Sequence, residues 1–136
     1  MNILVIDGQG GRLGCQMVRS IAEKYPGAGL MAVGTNSAAA AAMAKAGAHQ
    51  AAAGENPLIV ACRKADIIIG PIGIVIADSL FGEITPAMAV AVAQSDAVRI
   101  LLPVNRCGNI VAGVQELSLT ALISDAMAKL EGVMQE

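Results

Sequence analysis

Short runs of apolar, mostly β-branched residues alternate along this chain with segments of helical periodicity. The clearest run, Ile67–Ile69, is uninterrupted and is followed by Gly70, as is typical of a central parallel strand that is covered on both faces. Repeated alternation of strand and helix is characteristic of βαβ units and a parallel sheet. Because the pattern extends over the whole chain, we predict one domain, residues 1–136, with a three-layer, doubly wound α/β fold of Rossmann type and a mainly parallel sheet.

The same periodicity predicts the individual elements. Strands are expected over Ile3–Ile6, Leu30–Val33, Ala48–Ala53, Ile67–Ile69, Val98–Val104 and Ile110–Val114. Helices are expected over Leu13–Lys24, Ala38–Lys45, Asn56–Lys64, Ile74–Leu80, Thr85–Gln94 and Ser118–Met134. The segment Ile74–Leu80 fits either a helix or a strand, and we favour a helix because a further strand would crowd the sheet.

Composition and charge argue against nucleic acid and membrane as partners. The chain carries nine Lys and Arg against eleven Asp and Glu, and its only aromatic residues are Tyr25 and Phe81, whereas single-stranded nucleic acid binding usually combines a cationic groove with aromatic platforms. The uncharged runs Ile67–Ala77 and Ile84–Ser95 are shorter than the ~20 apolar residues of a spanning helix.

The compartment is predicted from the N-terminus and the cysteines. The opening sequence MNILVIDG has no basic region before its apolar run and therefore does not resemble a signal peptide. Cys15, Cys62 and Cys107 are odd in number and form neither a CxxC pair nor a zinc-binding spacing. We therefore expect a reduced, cytoplasmic protein without a metal site.

A glycine-rich segment lies between the first predicted strand and the first predicted helix, the context in which such loops bind phosphate. It consists of Gly8, Gln9, Gly10, Gly11, Arg12, Leu13 and Gly14. We expect Gly8 to permit a tight turn, Gly10 or Gly11 to let the backbone approach a phosphate, and Gly14 to bring the helix close to the strand. The spacing departs from G-x-G-x-x-G, and no Walker Gly-Lys-Ser/Thr follows. The alternative is a turn that binds nothing.

Two further segments follow predicted strands and should lie at the same edge of the sheet. These candidate cofactor-binding residues are Thr35, Asn36 and Ser37 after the second strand, and Gly70, Pro71, Ile72 and Gly73 after the central strand. An NAD-dependent enzyme usually carries an acidic residue after its second strand, and none stands at 35–37. NADP is therefore favoured over NAD, with Arg12 or Lys45 as the cation for the 2′-phosphate. Alternatively, these polar residues only cap a helix.

The remaining polar residues support no catalytic assignment. Asp7 would repel a phosphate unless it binds loop N–H groups or a metal ion, and we favour bracing of the loop. His49 is the only histidine, so no base is placed to activate a cysteine. The roles of Glu83, Arg106 and Cys107 are left open.

Two resemblances accompany this interpretation. The segment Val5–Gly14 resembles the N-terminal loop of dihydrodipicolinate reductases, which implies a nicotinamide dinucleotide with Arg12 near its phosphates. That family's substrate-binding domain has no counterpart here. The whole chain resembles a family of short bacterial proteins of unknown function. The matching segments are Ile6–Gly11, Gly34–Asn36, Gly54–Asn56, Asp66–Gly73, Gly82–Pro86 and Asn105–Cys107.

Two functional hypotheses result. The first is a single-domain nucleotide- or dinucleotide-binding module. The second is a small oxidoreductase, or another enzyme with a bound dinucleotide, whose site is completed across a dimer interface by Glu83 or Arg106. A homodimer is expected in either case, because only 15% of residues are charged against a typical ~25%.

Overall fold

The predicted apolar runs form the strands of one parallel sheet. The computed structural model describes residues 1–136 and has the strands β1 Asn2–Asp7, β2 Gly29–Gly34, β3 Gln50–Ala53, β4 Ile67–Pro71 and β5 Val98–Leu102. The helices are α1 Arg12–Lys24, α2 Ser37–Ala46, α3 Glu55–Lys64, α4 Pro86–Gln94 and α5 Leu119–Met134, with a 3₁₀ turn at Ile72–Val75. All neighbouring strands pair in parallel, in the order β3-β2-β1-β4-β5.

Side chains alternate between the two faces of the sheet and build a core on each side. Ile3 and Val5 of β1 pack in one core with residues of α1 and α5. Leu4 and Ile6 pack in the other core with residues of α3 and α4. Helices therefore cover both faces of the sheet, as predicted for a doubly wound, Rossmann-like fold.

The strand order places a topological switch point between β1 and β4. The chain moves from β1 to β2 and β3 in one direction, then crosses back to β4 and β5 on the other side of β1. β1 pairs with β2 as far as Asp7–Gly34, but its pairing with β4 ends at Val5–Ile69. The carboxyl ends of the two central strands lie just beyond that point, where ligands of such sheets bind.

Two elements and one strand boundary expected from the sequence are wrong. Ile110–Val114 is not a strand, since residues 103–118 contain no regular element and Ile110 is 95% exposed. Ile74–Leu80 is not a helix: the 3₁₀ turn ends at Val75, and positive φ angles at residues 78 and 80 prevent a longer helix. β5 ends at Leu102 rather than at residue 104, because Pro103 has no N–H for the ladder.

No helix combines the length and apolar character that crossing a bilayer would require.

Candidate functional site

Asp7 holds the loop between β1 and α1 from its first residue to the first turn of the helix. Its side chain is 4% exposed. Its two carboxylate oxygens accept hydrogen bonds from the Gly8 amide at 2.8 Å and from the Gly14 amide at 2.7 Å. Burial raises the pKa of the Asp7 carboxyl, while the Gly14 and Gly8 amides act in the opposite direction. The expectation that Asp7 braces the loop is confirmed.

Close packing explains the glycines at both ends of the loop. A Cβ at Gly14 would lie 2.6 Å from Met43 Sδ and 2.8 Å from Asp7 Cβ, so glycine is what lets α1 lie against the end of β1. A Cβ at Gly8 would lie 2.5 Å from Thr35 Oγ1. Gly8 begins the tight turn, since its carbonyl accepts from the Gly11 amide at 2.9 Å, while the left-handed residues are Gln9 at φ 50° and Gly11 at φ 73°.

The loop leaves three backbone amides without an acceptor. The amides of Gly8 and Gly14 bind Asp7, that of Gln9 binds Glu83, and that of Gly11 binds the Gly8 carbonyl. The remaining amides, those of Gly10, Arg12 and Leu13, have no acceptor in the protein. A Cβ at Gly10 would meet nothing within 4 Å, so the space in front of the loop is open there.

A carboxylate from the segment after β4 reaches the loop and the end of β2. Glu83 Oε1 lies 2.9 Å from the Gln9 amide, 2.5 Å from Thr35 Oγ1 and 2.8 Å from Asn36 Nδ2, all of which donate to it. The pKa of the Glu83 carboxyl is lowered, first by the Thr35 hydroxyl and then by the Gln9 amide and the Asn36 side chain, against an opposing effect of burial. Glu83 is therefore an ionised acceptor at neutral pH.

The polar residues after β2 have a structural role as well. Asn36 is the N-cap of α2, because its Oδ1 accepts from the Ala39 amide at 2.8 Å, while its Nδ2 donates to the Gln9 carbonyl at 2.9 Å. Ser37 is the first residue of α2 and is exposed. The capping interpretation thus holds for Asn36, and the same side chain ties the end of β2 to the glycine loop.

The segment after β4 contacts the loop at other residues than expected. A Cβ at Gly70 would lie 2.5 Å from the Ile6 carbonyl oxygen of β1, and one at Gly73 would meet Asn105 and Ser79. Pro71 ends β4 and is buried, and Ile72 begins the 3₁₀ turn. The contact is made further along this connection, where Leu80 Cδ1 and Glu83 Oε1 would each lie 3.0 Å from a Cβ at Gly8.

Glu83 lies at the carboxyl end of the sheet of its own chain, next to Gln9. Glu83 binds Gln9 of the same chain, 74 residues away, so it reaches the loop without a second subunit. Sequence periodicity carries no signal for a contact of that separation. Lys45, the other suggested phosphate cation, lies in the last turn of α2, about 13 Å along the helix axis from Asn36. Arg12 is exposed at the start of α1 and forms no ion pair.

The other candidate residues have local structural environments. Burial raises the pKa of the Cys62 thiol to about 11, so this thiol is protonated at neutral pH. His49 Nδ1 accepts from the Leu30 amide at 3.3 Å, which is a structural role between β2 and β3. Arg106 donates to the Pro103 carbonyl at 2.8 Å in a turn that also holds the exposed Cys107. No three His, Cys, Asp or Glu side chains lie together.

Comparison with known proteins identifies a family for this chain but assigns it no activity. A family model described as a domain of unknown function, DUF3842, matches residues 2–135. No curated protein matches the chain. The expected relationship to a family of unknown function is thereby confirmed over almost the whole sequence.

Proposed function

The chain belongs to the DUF3842 family of unknown function, and from its geometry we propose that it binds a nucleotide at the carboxyl end of the sheet. The phosphates bind at residues 8–14. The proposed ligand is a dinucleotide, NAD or NADP, or an adenine mononucleotide such as the AMP half of NAD.

The observation that carries this proposal is the set of unpaired amides at the start of α1. The first N–H groups of a helix have no acceptor within the helix, and those of Gly10, Arg12 and Leu13 have none elsewhere in the protein. All three lie where the partial positive charge of the helix is concentrated. A phosphate oxygen is the acceptor that such a helix terminus favours. The Arg12 guanidinium, exposed at the first helical position, adds a full positive charge.

The position of the loop in the fold supports the same ligand class. The loop follows the carboxyl end of β1, beside the switch point between β1 and β4, the usual place for nucleotides in open α/β sheets. Gly11 and Gly14 let α2 and β1 approach the loop closely. The residues present therefore fit a bound phosphate.

Binding without catalysis is the simpler form of the proposal. Asp7 and Asn36 each use their polar atoms in hydrogen bonds that hold the loop and cap α2. The Thr35 hydroxyl likewise donates to Glu83. An oxidoreductase would need a further acid or base beside the reacting ring, and the polar atoms of Asp7, Thr35 and Asn36 are already used in these structural hydrogen bonds. Because three cysteines are free of disulfides, we place the protein in the reducing cytoplasm.

The test is ligand binding by wild type and by two glycine variants. Gly10→Ala adds a methyl group where a Cβ meets nothing within 4 Å and φ is not positive, so the fold tolerates it while the proposed phosphate loop gains a side chain. We expect calorimetric titration with NAD and AMP to show binding by wild type, about tenfold weaker in Gly10→Ala.

Gly27→Ala is the matched control. Gly27 also has open space around its Cβ position and no positive φ, but it lies in the turn after α1, at the opposite end of that helix. It should bind both ligands like wild type. If Gly10→Ala and Gly27→Ala bind equally well, or if wild type binds neither ligand, the loop is only a turn and the proposal is wrong.

A further inference from the structure

We propose that Glu83 supplies, from the segment after β4, the carboxylate that accepts the ribose hydroxyls of the bound nucleotide, and that the protein therefore selects a ribose without a 2′-phosphate. This inference rests on the proposed function and names the ligand class of the same site. It also reverses the preference for NADP that the sequence favours, because that preference depended on finding no acid beside the end of β2.

In the folded chain the Glu83 carboxylate lies beside the end of β2, although no acidic residue directly follows β2 in the sequence. In Rossmann-type sites an acidic residue after the second strand hydrogen-bonds the ribose 2′-hydroxyl. Here Thr35 follows β2 directly, and Thr35 and Asn36 both donate to Glu83 Oε1, at 2.5 Å and 2.8 Å. The acid is thus delivered from the other side of the switch point, 48 residues along the chain from Thr35.

The carboxylate does not occupy the phosphate position. Of the loop amides Glu83 takes only that of Gln9, and it leaves those of Gly10, Arg12 and Leu13 unpaired. A phosphate on these amides and a ribose on Glu83 can therefore be bound together.

Glu83 also keeps an oxygen available for a ligand. Its three hydrogen bonds all end on Oε1, and Oε2 has no partner in the protein. An ionised carboxylate accepts hydroxyl protons in short, charge-assisted hydrogen bonds. Two neighbouring hydroxyls of an unmodified ribose are suitable donors for such an oxygen.

The same charge disfavours a phosphorylated ribose. Glu83 forms no ion pair with any Lys or Arg, and the Asp7 carboxylate is close enough to act on it electrostatically. A 2′-phosphate would bring about two further negative charges to this point, and like charges placed together oppose binding. The Lys45 side chain, at the far end of α2, does not relieve this repulsion.

Three ligands that differ only at the ribose 2′ position separate the outcomes. Wild type is titrated calorimetrically with adenosine 5′-monophosphate, 2′-deoxyadenosine 5′-monophosphate and adenosine 2′,5′-bisphosphate. We expect the first to bind about tenfold more tightly than either of the others. Equal affinity for all three would overturn the inference and leave the proposed function standing, whereas no binding of any would overturn both.

Variants then assign the preference to Glu83. Glu83→Gln keeps an oxygen that accepts from Gln9 and Thr35 but removes the charge, so it should bind the 2′,5′-bisphosphate at least as tightly as the monophosphate. Glu23→Gln, an exposed position of α1 without a hydrogen-bonded partner, should retain the wild-type preference. If Glu83→Gln retains that preference, Glu83 only anchors its own segment. If Glu83→Gln does not fold, the wild-type series decides the question alone.

Discussion

Glu83 joins two segments that the sequence keeps far apart, and its ionised form is the one that its partners stabilise. The Thr35 hydroxyl, the Gln9 amide and the Asn36 side chain lower the pKa of this carboxyl below its ordinary value of 4.5. A lowered pKa in the folded state contributes stability above the unfolded-state value, and this contribution is lost as the pH falls through the folded-state value.

Because the pKa of Glu83 is lowered in the folded state, the difference in stability between wild type and Glu83→Gln should depend on pH. We expect wild type to have the higher melting temperature at neutral pH, and the difference to shrink as the pH falls below 4.5. Thermal unfolding over a pH series measures it. The pKa of Asp7 is raised mainly by burial, which is the same in both proteins, and only the smaller contribution of the Glu83 charge differs between them. A difference that stays constant down to acidic pH would show that the Glu83 charge does not hold the segment.

Gly14 is closely packed and Gly10 is surrounded by open space. A substitution at residue 14 should therefore change stability, whereas one at residue 10 should change only binding. Alanine at residue 14 gains about 1 kcal/mol of helix propensity. Its methyl group, however, would lie 2.6 Å from Met43 Sδ and 2.8 Å from Asp7 Cβ, and overpacking of this kind costs about 1–3 kcal/mol. It would also press on the carboxylate that the residue 14 amide binds.

We therefore expect Gly14→Ala to lower the free energy of unfolding by up to about 2 kcal/mol, and Gly10→Ala to stay within about 0.5 kcal/mol of wild type. Urea unfolding followed by circular dichroism measures both. Wild-type stability in Gly14→Ala would mean that α1 can move away from β1 at no cost, and that the residue 14 position does not fix the loop.

At the scale of elements, the connection between β4 and α4 is the part whose backbone departs most from ordinary conformations. Leu80 and Phe81 both have φ 56°, a region that costs a residue with a Cβ about 1–2 kcal/mol and that asparagine adopts more readily. Their side chains differ, because Leu80 is 5% exposed in the core and Phe81 is 100% exposed.

The two residues should therefore respond in opposite directions to the same substitution. Phe81→Asn removes no packing and relieves the backbone, so we expect stabilisation by about 0.5–1 kcal/mol. Leu80→Asn relieves the same backbone but empties a core position, which costs about 2–5 kcal/mol. Chemical denaturation measures both changes. Destabilisation by Phe81→Asn would show that this exposed ring makes contacts that matter for folding.

Sequence patterns predicted elements whose signals are local. The uninterrupted run Ile67–Ile69 lies in a fully buried strand, and Thr85-Pro86 starts α4, with the Thr85 hydroxyl accepting from the Met88 amide at 3.2 Å. The run at 110–114 also contains β-branched residues, Ile110, Val111 and Val114, but lies outside the sheet. The composition of a run does not show whether the folded chain places a neighbouring strand beside it.

The candidate site divides in the same way. The glycine loop and its brace, Asp7, are neighbours in sequence, and their arrangement was predictable from the strand–loop–helix context. The Glu83 contact depends on how a connection with several positive φ angles folds back over the loop. That path is fixed by tertiary packing of Leu80 and Ser79, both buried, and no periodicity in the sequence encodes it.

At the scale of the whole molecule, apolar surface remains after the two cores are filled. The uncharged run at 72–77 is largely used within the chain, since Gly73 and Ile74 are buried and Ile72, Val75 and Ile76 are partly covered. The run at 84–93 contributes Met88, Ala89 and Val92 to the core but leaves Val90 50% exposed. Val90, Ala87 and Ala91 line a groove between α3 and α4 together with Ile59.

We propose that two copies of the chain pair through this face of α4, in the two-fold arrangement that is commonest for soluble oligomers. The β5 edge of the sheet is a weaker candidate. It presents Arg99 in its middle, and an edge charge of this kind opposes strand pairing between copies.

The test places the same charge on each of the two surfaces. Val90→Lys and Val98→Lys change residues that are 50% and 47% exposed, one on α4 and one on β5, so both should fold. We expect light scattering to find a dimer for wild type and Val98→Lys and a monomer for Val90→Lys at micromolar concentration, because a lysine facing its symmetry mate brings like charges together in a desolvated contact. A monomeric wild type would refute the dimer, and dissociation by Val98→Lys alone would move the interface to the edge of the sheet. The nucleotide site includes neither residue, so both variants should bind AMP like wild type.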